Sequence, residues 1–442
     1  MSSESVPVAS ERPRAEWFGQ PRGLTILFLT EMWMQFSFFG MRTILVYYMI
    51  KQLLIPQERS SLIYGGYAAA VYFTPIFGGY ISDRWLGRRN AVIIGGLMMA
   101  AGHFMMIFPG LFFPALSAIA FGNGFFLPSL SSQINALYDE DDPRLGSAYN
   151  IYYVGINLGA LLAPFVCGTL GEVYGWHWGF AAAGVGMVVG LVTYLAGARW
   201  LPPERRGGAA RVSVRFTPAL RRRIWLLLAV MAVVIIFRGA YEQNGNTVAI
   251  WNDVGVDRRL AGGWSIPLTW FQSLNPLVIF IGTPILVGYW TWLGRRHREP
   301  SSVAKMSTGA LIVAISYALV AVVCMRSDAH HARASWIWPT AFFVVMTIGE
   351  LFILPVGLGL FGRLAPKGLE ATAIATWFFA GFAGNLLAGW LGLFWSRLSQ
   401  PAFFTLIALT SAVAALLLWL LHPAGRRAER EHLSEAETAK AR

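Results

Sequence analysis

Residues 30–42 read TEMWMQFSFFGMR and lie inside an apolar run from residue 24 to residue 50. A run of this length crosses a bilayer, so two ionisable side chains, Glu31 and Arg42, lie at membrane depth. Such a residue near a helix centre costs roughly 2.5–3.5 kcal/mol on insertion scales, which favours a polar cavity over a lipid-facing position. On one helix the two side chains are about 20° from alignment and therefore share a face.

The composition is that of a polytopic membrane protein. Hydrophobic residues make up 56% of the chain and charged residues 13%, with 18 tryptophans. The net charge of +12 does not indicate nucleic-acid binding, because the Lys and Arg residues occupy short loops between apolar runs. Cys167 and Cys324 lie in apolar runs and are expected to be buried thiols. The first twenty residues lack a signal-peptide core, so the first span is expected to direct insertion.

Windows of about 20 apolar residues predict an all-α protein with twelve transmembrane helices in two six-helix bundles. The predicted spans are 24–50, 62–82, 90–108, 111–137, 147–169, 178–198, 223–250, 264–292, 306–325, 335–361, 368–395 and 401–421. The predicted regions are an N-terminal tail (1–22), a first bundle (23–198), a basic linker (199–222), a second bundle (223–421) and a C-terminal tail (422–442). The even-numbered loops hold more Arg and Lys, so the positive-inside rule places them and both termini in the cytoplasm.

A repeated pattern relates the two predicted bundles. TPIFGGY at residues 74–80 is followed by WLGRR at 85–89, and TPILVGY at 283–289 is followed by WLGRR at 292–296. Each copy ends the second span of its bundle. The repeat therefore indicates the parallel pseudo-symmetry of the major facilitator architecture, with a substrate site near the midplane between the halves.

Motifs spread over nearly the whole chain resemble the proton-dependent oligopeptide transporter family of the major facilitator superfamily. They are FSFFGMR (36–42), GNGFF (122–126), YVGINLG (153–159), YEQ (241–243), WFQSLNP (270–276), GELF (349–352) and WF (377–378). GYISDRWLGRR (79–89) is similar to the superfamily's conformational loop motif, which implies this role for Gly79, Asp83, Arg84, Gly87, Arg88 and Arg89.

The resemblance also implies site residues. The substrate-binding set would be Arg42, Tyr67, Tyr153, Asn157, Asn275, Glu350 and Trp377, with Glu350 meeting a peptide's amino group. Glu242 would face Arg42 in an extracellular gate. This fits elementary chemistry, because a zwitterionic peptide needs a cation for its carboxylate and an anion for its amine.

The chain departs from the family pattern at Met34, Gln35, Phe39, Ala136, Arg238 and Leu354. The family has Glu and Arg in place of Met34 and Gln35, and commonly Lys in place of Ala136. Because the loss of one charge would strand another in the membrane, the joint loss predicts a working alternative. The family has Tyr in place of Phe39, Trp in place of Arg238 and Ser in place of Leu354. Many bacterial members of the family have two extra helices between the halves, for which this linker has no room.

Several readings of single residues remain open. Glu31 is either a pathway group or a helix-end acid that reaches the interface. Glu242 lies four residues after Arg238, so a pair on one helix competes with the gate to Arg42, and an exchange of partners is a third reading. The gating or proton-coupling candidates are Glu31, Arg42, Arg238, Glu242 and Glu350. His103, among Met and Phe, is expected to be a packing residue.

These observations predict a secondary active transporter of di- and tripeptides or peptide-like molecules, importing by alternating access. It would act as a monomer in a bacterial-type inner membrane, in contact with lipid, with no cofactor and a proton gradient as the driving force. No nucleophile or phosphate-binding pattern indicates an enzyme. The alternatives are a uniporter or exporter of a non-peptide metabolite or drug, and a non-transporting receptor or scaffold.

Overall fold

A computed structural model describes residues 16–138, 142, 144–202, 218–260, 262–365 and 370–440. Most of the predicted N-terminal tail and residues 203–217 of the predicted linker lie outside these described residues. Two short strand pairs accompany the helices. They are β1 (Glu16–Trp17) with β2 (Gln20–Pro21), antiparallel, and β3 (Val256–Asp257) with β4 (Ala334–Ser335), parallel.

The first half of the chain forms six long helices. They are α1 (Arg22–Lys51), α2 (Gln57–Ile81), α3 (Arg88–Met105), α4 (Phe112–Asn135), α5 (Leu145–Ala163) and α6 (Trp176–Ala196). Two π-helical turns, Pro164–Gly168 and Leu170–Tyr174, continue α5 toward α6. Pro164 opens the first of these turns, because its ring removes one helical hydrogen bond.

The second half forms six long helices and one short one. They are α7 (Pro218–Tyr241), the short α8 (Thr247–Val254), α9 (Trp270–Arg295), α10 (Ser302–Ala329), α11 (Ile337–Leu364), α12 (Glu370–Gly392) and α13 (Gln400–Lys440). A 3₁₀ turn, Glu242–Gly245, joins α7 to α8. The predicted boundary at residue 422 falls inside α13, which runs on through Lys440.

The long helices fit the predicted membrane architecture. Ten helical segments of the described chain are long and apolar enough to cross a membrane, and α7 and α8 count as one of them. The less apolar α2 and α3 complete the predicted set of twelve. Each half has its own apolar core, since one cluster of buried residues is built mainly from α1 to α6 and the other from α7 to α13.

Polar contacts between the halves cluster at the end of the molecule that carries the odd-numbered loops. Lys51 Nζ lies 2.7 Å from Asp253 Oδ1, and Arg258 Nη1 lies 2.9 Å from Glu172 Oε1. The Tyr47 hydroxyl donates to the Ala249 carbonyl at 3.0 Å. In this state the halves are therefore held together at the odd-loop end.

The helices of the two halves also touch closely at this end. A Cβ atom added to Gly65 on α2 would lie 2.6 Å from the Asn385 carbonyl oxygen and 2.6 Å from Gly389 Cα on α12. Real Cβ atoms do not approach other atoms this closely. Glycine at position 65 therefore lets the backbones of α2 and α12 come into contact.

Candidate functional site

A cavity of about 210 Å³ lies between the two halves. Its walls come from α1, α2 and α5 of the first half and from α7, α9 and α11 of the second, together with the 3₁₀ turn. Five of the predicted substrate-binding residues line it: Arg42, Tyr153, Asn157, Asn275 and Glu350. The structure thus brings together residues that are far apart in the sequence.

Glu242 accepts ion pairs from two arginines at once. Its Oε2 lies 2.6 Å from Arg42 Nη2, and its Oε1 lies 2.8 Å from Arg238 Nη1. The Glu242 side chain is only 2% exposed. The pair of Glu242 with Arg42 and its pair with Arg238, which are competing interpretations of the sequence, therefore coexist in this state. We call Arg42, Glu242 and Arg238 the ion triad.

Tyr64 and the 3₁₀ turn position the Arg42 side of the ion triad. The Tyr64 hydroxyl accepts a hydrogen bond of 2.8 Å from Arg42 Nε. A Cβ on Gly245 would lie 2.1 Å from this hydroxyl, so a glycine is needed where the chain turns from α7 into α8. The turn also brings Glu242 against the first half, since an uninterrupted helix would carry the chain past this point.

Arg238 packs against the aromatic ring of a second tyrosine. The Arg238 guanidinium carbon lies 5.4 Å from the centre of the Tyr72 ring, and its Nη1 donates to the Tyr72 hydroxyl at 3.2 Å. Arg238 Nε is buried and has no hydrogen-bond partner among the described residues. An unsatisfied buried donor carries a desolvation cost.

Glu350 supplies negative charge from α11. Asn275 Nδ2 donates to Glu350 Oε2 at 2.5 Å and to Thr347 Oγ1 at 3.0 Å. Within the described chain no Arg or Lys forms a salt bridge with Glu350. The cavity therefore has a carboxylate on α11 that forms no described salt bridge. It also has the ion triad, which lies on α1, α7 and the 3₁₀ turn.

The Tyr153 side chain on the α5 wall is more exposed than the side chains of Arg42 and Glu242. Asn157 Nδ2 donates to the Tyr153 carbonyl at 3.0 Å, and the Tyr153 side chain is 45% exposed. Phe39 and Leu354, two departures from the family pattern, also line the cavity. These apolar side chains contribute surface without adding a hydrogen-bonding group.

Glu31 lies outside the cavity wall in a separate buried cluster. Gln35 Nε2 donates to Glu31 Oε1 at 2.8 Å, and the Tyr152 hydroxyl donates to Oε2 at 2.7 Å. No cation pairs with Glu31 among the described residues. Gln35 is thus a neutral donor to this carboxylate, and Met34 is buried. Ala136 lies at the C-terminal end of α4.

Two of the predicted pocket aromatics occupy other positions. Tyr67 is buried against Phe38, with ring centres 6.5 Å apart. Trp377 packs on Phe361 at 5.3 Å and fills the space above Gly357. The described cavity wall contains neither residue. Both side chains are used in packing in this state, and their assignment to the substrate site stays a prediction.

The loop motif forms a connected turn between α2 and α3. Ser82–Leu86 is π-helical, and Gly87 has φ 79°, a backbone conformation that favours glycine. Arg88 Nε lies 3.6 Å from Asp83 Oδ1, and Arg89 Nη2 donates to the Ala198 carbonyl at 2.7 Å. Arg84 Nη1 donates to the Tyr80 hydroxyl at 3.2 Å, and a Cβ atom added to Gly79 would lie 3.5 Å from the Pro128 ring. The motif thus ties this turn to the end of α6.

Some site residues had no signal in the sequence. Tyr64, Tyr72 and Tyr152 meet charged groups whose positions depend on how the helices pack, and neither their type nor their spacing identifies them. Gln272 accepts a bond of 2.7 Å from Thr43 across the halves and lies within a family motif. His103 is fully buried, and neither ring nitrogen has a hydrogen-bond partner in the described part of the chain.

Comparisons with known proteins show which family the chain resembles along its length. The model of the POT family matches residues 89–219 and 217–401. The chain is 31% identical to the uncharacterized transporter YclF of Bacillus subtilis, covering 97% of this chain and 99% of the relative. It is 28% identical to a di-/tripeptide transporter of Lactococcus lactis subsp. cremoris, covering 92% and 96%.

Solved structures extend the agreement to the fold. A crystal structure of the peptide transporter POT in complex with sulfate is similar with a TM-score of 0.86 and 29% identity, covering 94% of this chain and 97% of that one. A POT family transporter in complex with 5-aminolevulinic acid also gives 0.86, at 26% identity, covering 93% and 98%. The major facilitator fold is therefore shown along almost the entire chain.

Proposed function

We propose that this chain, which belongs to the POT family, transports di- and tripeptides or peptide-like molecules across a bacterial-type inner membrane. The observation that carries the proposal is the presence of the ion triad and the carboxylate of Glu350 in one cavity between the halves. Relatives named di-/tripeptide transporters and permeases support it.

The charges of the cavity match the two ends of a small peptide. The amine would meet Glu350, whose described hydrogen bonds come from the neutral side chains of Asn275 and Tyr241. The carboxylate would meet the guanidinium groups of the ion triad, because charge-assisted pairs are stronger than neutral hydrogen bonds. Tyr153, Asn157 and the apolar walls would contact the middle of the peptide. Apolar contact of this kind accepts different peptide side chains.

Transport would proceed by rocking of the halves. By the positive-inside rule the odd-numbered loops lie outside the cell, and the contacts at their end would close the outer side of the cavity. Opening that side would break the pairs of Lys51 with Asp253 and of Arg42 with Glu242. The two termini would remain cytoplasmic, and the chain would work as a monomer surrounded by lipid.

Coupling to protons would use carboxyl groups that change surroundings during this cycle. Glu242 would lose Arg42 when the outer side opens. Glu31 is buried and Glu350 is half-buried, both without a described cation, and an ionised carboxylate that is withdrawn from water without a partner is costly. Binding a proton removes that charge, so these three groups are the candidates for coupling.

Uptake into proteoliposomes tests the proposal. Labelled Ala-Ala is supplied outside, with and without an inward proton gradient, to vesicles containing the full chain. We expect uptake that the gradient increases, and a neutral variant, Glu31→Gln, tests whether Glu31 contributes to that increase. Gradient-independent uptake would indicate a uniporter. Absence of uptake under both conditions, from folded protein, would contradict peptide transport.

A second substrate class follows from the comparisons. A similar transporter has been solved with 5-aminolevulinic acid, which carries an amine and a carboxylate like a peptide. Competition by this compound for Ala-Ala uptake would place such peptide-like molecules among the substrates. Failure to compete would restrict the proposal to peptides.

A further inference from the structure

The ion triad carries one positive charge in excess, and Arg238 is its source. Glu242 neutralises one guanidinium, and both Arg42 and Arg238 contact it. The family pattern has Trp at this position, where the corresponding Arg and Glu would form a neutral pair. Arg238 therefore changes the charge of the cavity wall.

The cations that the family pattern carries elsewhere are absent from this chain. Gln35 and Ala136 stand in their places, and Gln35 donates to Glu31 away from the cavity. Among the described residues that line the cavity, the cationic side chains are Arg42 and Arg238. These two guanidiniums are therefore the described cations that an anionic substrate group can meet in the cavity.

Hydrogen bonding distinguishes the two arginines. Arg42 uses Nε for Tyr64 at 2.8 Å and Nη2 for Glu242 at 2.6 Å. Arg238 uses Nη1 for both of its described acceptors, Glu242 and Tyr72. Arg238 Nε is buried without a described partner. Arg238 thus has an unused donor, whereas the corresponding donor of Arg42 is committed.

We propose that Arg238 binds the substrate carboxylate while Arg42 keeps Glu242, an inference that rests on the proposed function. Glu242 releases Arg238 from Oε1 and retains Arg42 on Oε2. The Arg238 side chain turns so that Nε and a neighbouring amino group face the cavity, where a carboxylate accepts two parallel hydrogen bonds. Carboxylate recognition has in this way moved to α7, on the second half.

Competition binding with the full-length purified protein tests this assignment. Labelled Ala-Ala is displaced by unlabelled Ala-Ala or by Ala-Ala amide, which lacks the carboxylate charge. For the wild type we expect a preference of about ten- to hundredfold for the acid, as is typical of charged hydrogen bonds. Arg238→Gln should reduce the preference to near unity, and Arg238→Lys should restore part of it.

Two matched variants separate binding from folding and gating. Tyr72→Phe removes only a hydroxyl partner of Arg238 and should keep the preference. Arg42→Lys keeps a cation beside Glu242 and should leave the acid preferred over the amide. Thermal unfolding and gel filtration establish that each variant is folded before its preference is interpreted.

The outcomes distinguish this inference from the proposed function. A wild-type preference that survives in Arg238→Gln would show that another group binds the carboxylate and would overturn the inference, while peptide binding would stand. Failure of the wild type to bind either compound, in a preparation shown to be folded, would overturn the proposed function and this inference together.

Discussion

Glu350 is the residue at which we test whether charged groups of the cavity bind the two ends of a peptide. Its carboxylate lies on α11, held by Asn275 at 2.5 Å and without a described cation. The ion triad on α1 and α7 provides the opposite charge. If a peptide spans these groups, neutralising Glu350 removes the partner of the amine and leaves the carboxylate contacts in place.

We therefore expect Glu350→Gln to raise the KM for Ala-Ala about ten- to hundredfold, the range for a hydrogen bond to a charged group. Glutamine keeps the size of the side chain and an acceptor for Asn275, so the fold should survive. The variant should also lose the wild-type preference for Ala-Ala over N-acetyl-Ala-Ala. Uptake of both compounds into proteoliposomes is the measurement.

Leu354→Ala on the same helix is the control for this test. Leu354 lines the cavity but carries no charge, so its truncation should alter the fit of side chains and not the preference for a free amine. A Glu350→Gln protein that still favours the free amine would show that the amine binds elsewhere.

Single residues also show where the sequence suffices and where it fails. The motifs bring Arg42, Glu242 and Glu350 to the cavity, because charged groups at membrane depth have few places to lie. The same reasoning does not fix partners, and Arg238 and Arg42 both pair with Glu242. The positions of Tyr67 and Trp377 outside the cavity wall cannot be predicted from the sequence, because the rotation and tilt of their helices decide which way an aromatic side chain faces.

At the scale of elements, close contact between α2 and α12 holds the odd-loop end together. The sequence predicts these spans from their apolar runs, and the repeat predicts that the chain has two related halves. It does not predict which helices of opposite halves touch. That depends on small residues such as Gly65, whose neighbours on α12 become visible only in three dimensions.

Gly65→Ala should therefore weaken closure of the odd-loop end. The new methyl group would lie 2.6 Å from backbone atoms of α12, so the two helices must separate. We expect slower transport and faster labelling of a cysteine placed at position 51 by a membrane-impermeant maleimide. Both are measured in vesicles containing the variant.

Gly66→Ala is the matched control, since a Cβ at this neighbouring position meets nothing within 4 Å. Both variants gain the same helix propensity, which is about 1 kcal/mol in favour of Ala. Any difference in transport or labelling between the two variants is therefore an effect of the α2–α12 contact. Equal transport and equal labelling in the two variants would contradict a role for the α2–α12 contact in closure.

In the whole molecule, alternating access requires that the two halves separate at the odd-loop end during each transport cycle. Lys51 Nζ and Asp253 Oδ1, 2.7 Å apart, join the halves there, and both side chains are partly exposed. Surface ion pairs of this kind contribute little free energy, with a median of about 0–1 kcal/mol. They can therefore open readily, but a covalent bond in the same place cannot.

A water-soluble carbodiimide should link Lys51 to Asp253 by an amide bond and stop transport in proportion to the yield. Peptide mass spectrometry measures the link, and uptake of labelled Ala-Ala measures the transport. Asp253→Asn cannot form the link, so this variant should continue to transport after the same treatment. Full transport by quantitatively linked protein would contradict rocking of the halves.

Counterflow is the decisive test of peptide transport through this cavity, because it requires peptide binding and alternating access but no proton coupling. Vesicles are loaded with unlabelled Ala-Ala, treated with a proton uncoupler and diluted into a trace of labelled Ala-Ala. We predict transient accumulation of label above its outside concentration with the wild type, and none with Glu350→Gln at the same peptide concentration. If label entered wild-type vesicles no faster than protein-free liposomes, although the protein was folded, peptide transport through this cavity would be contradicted.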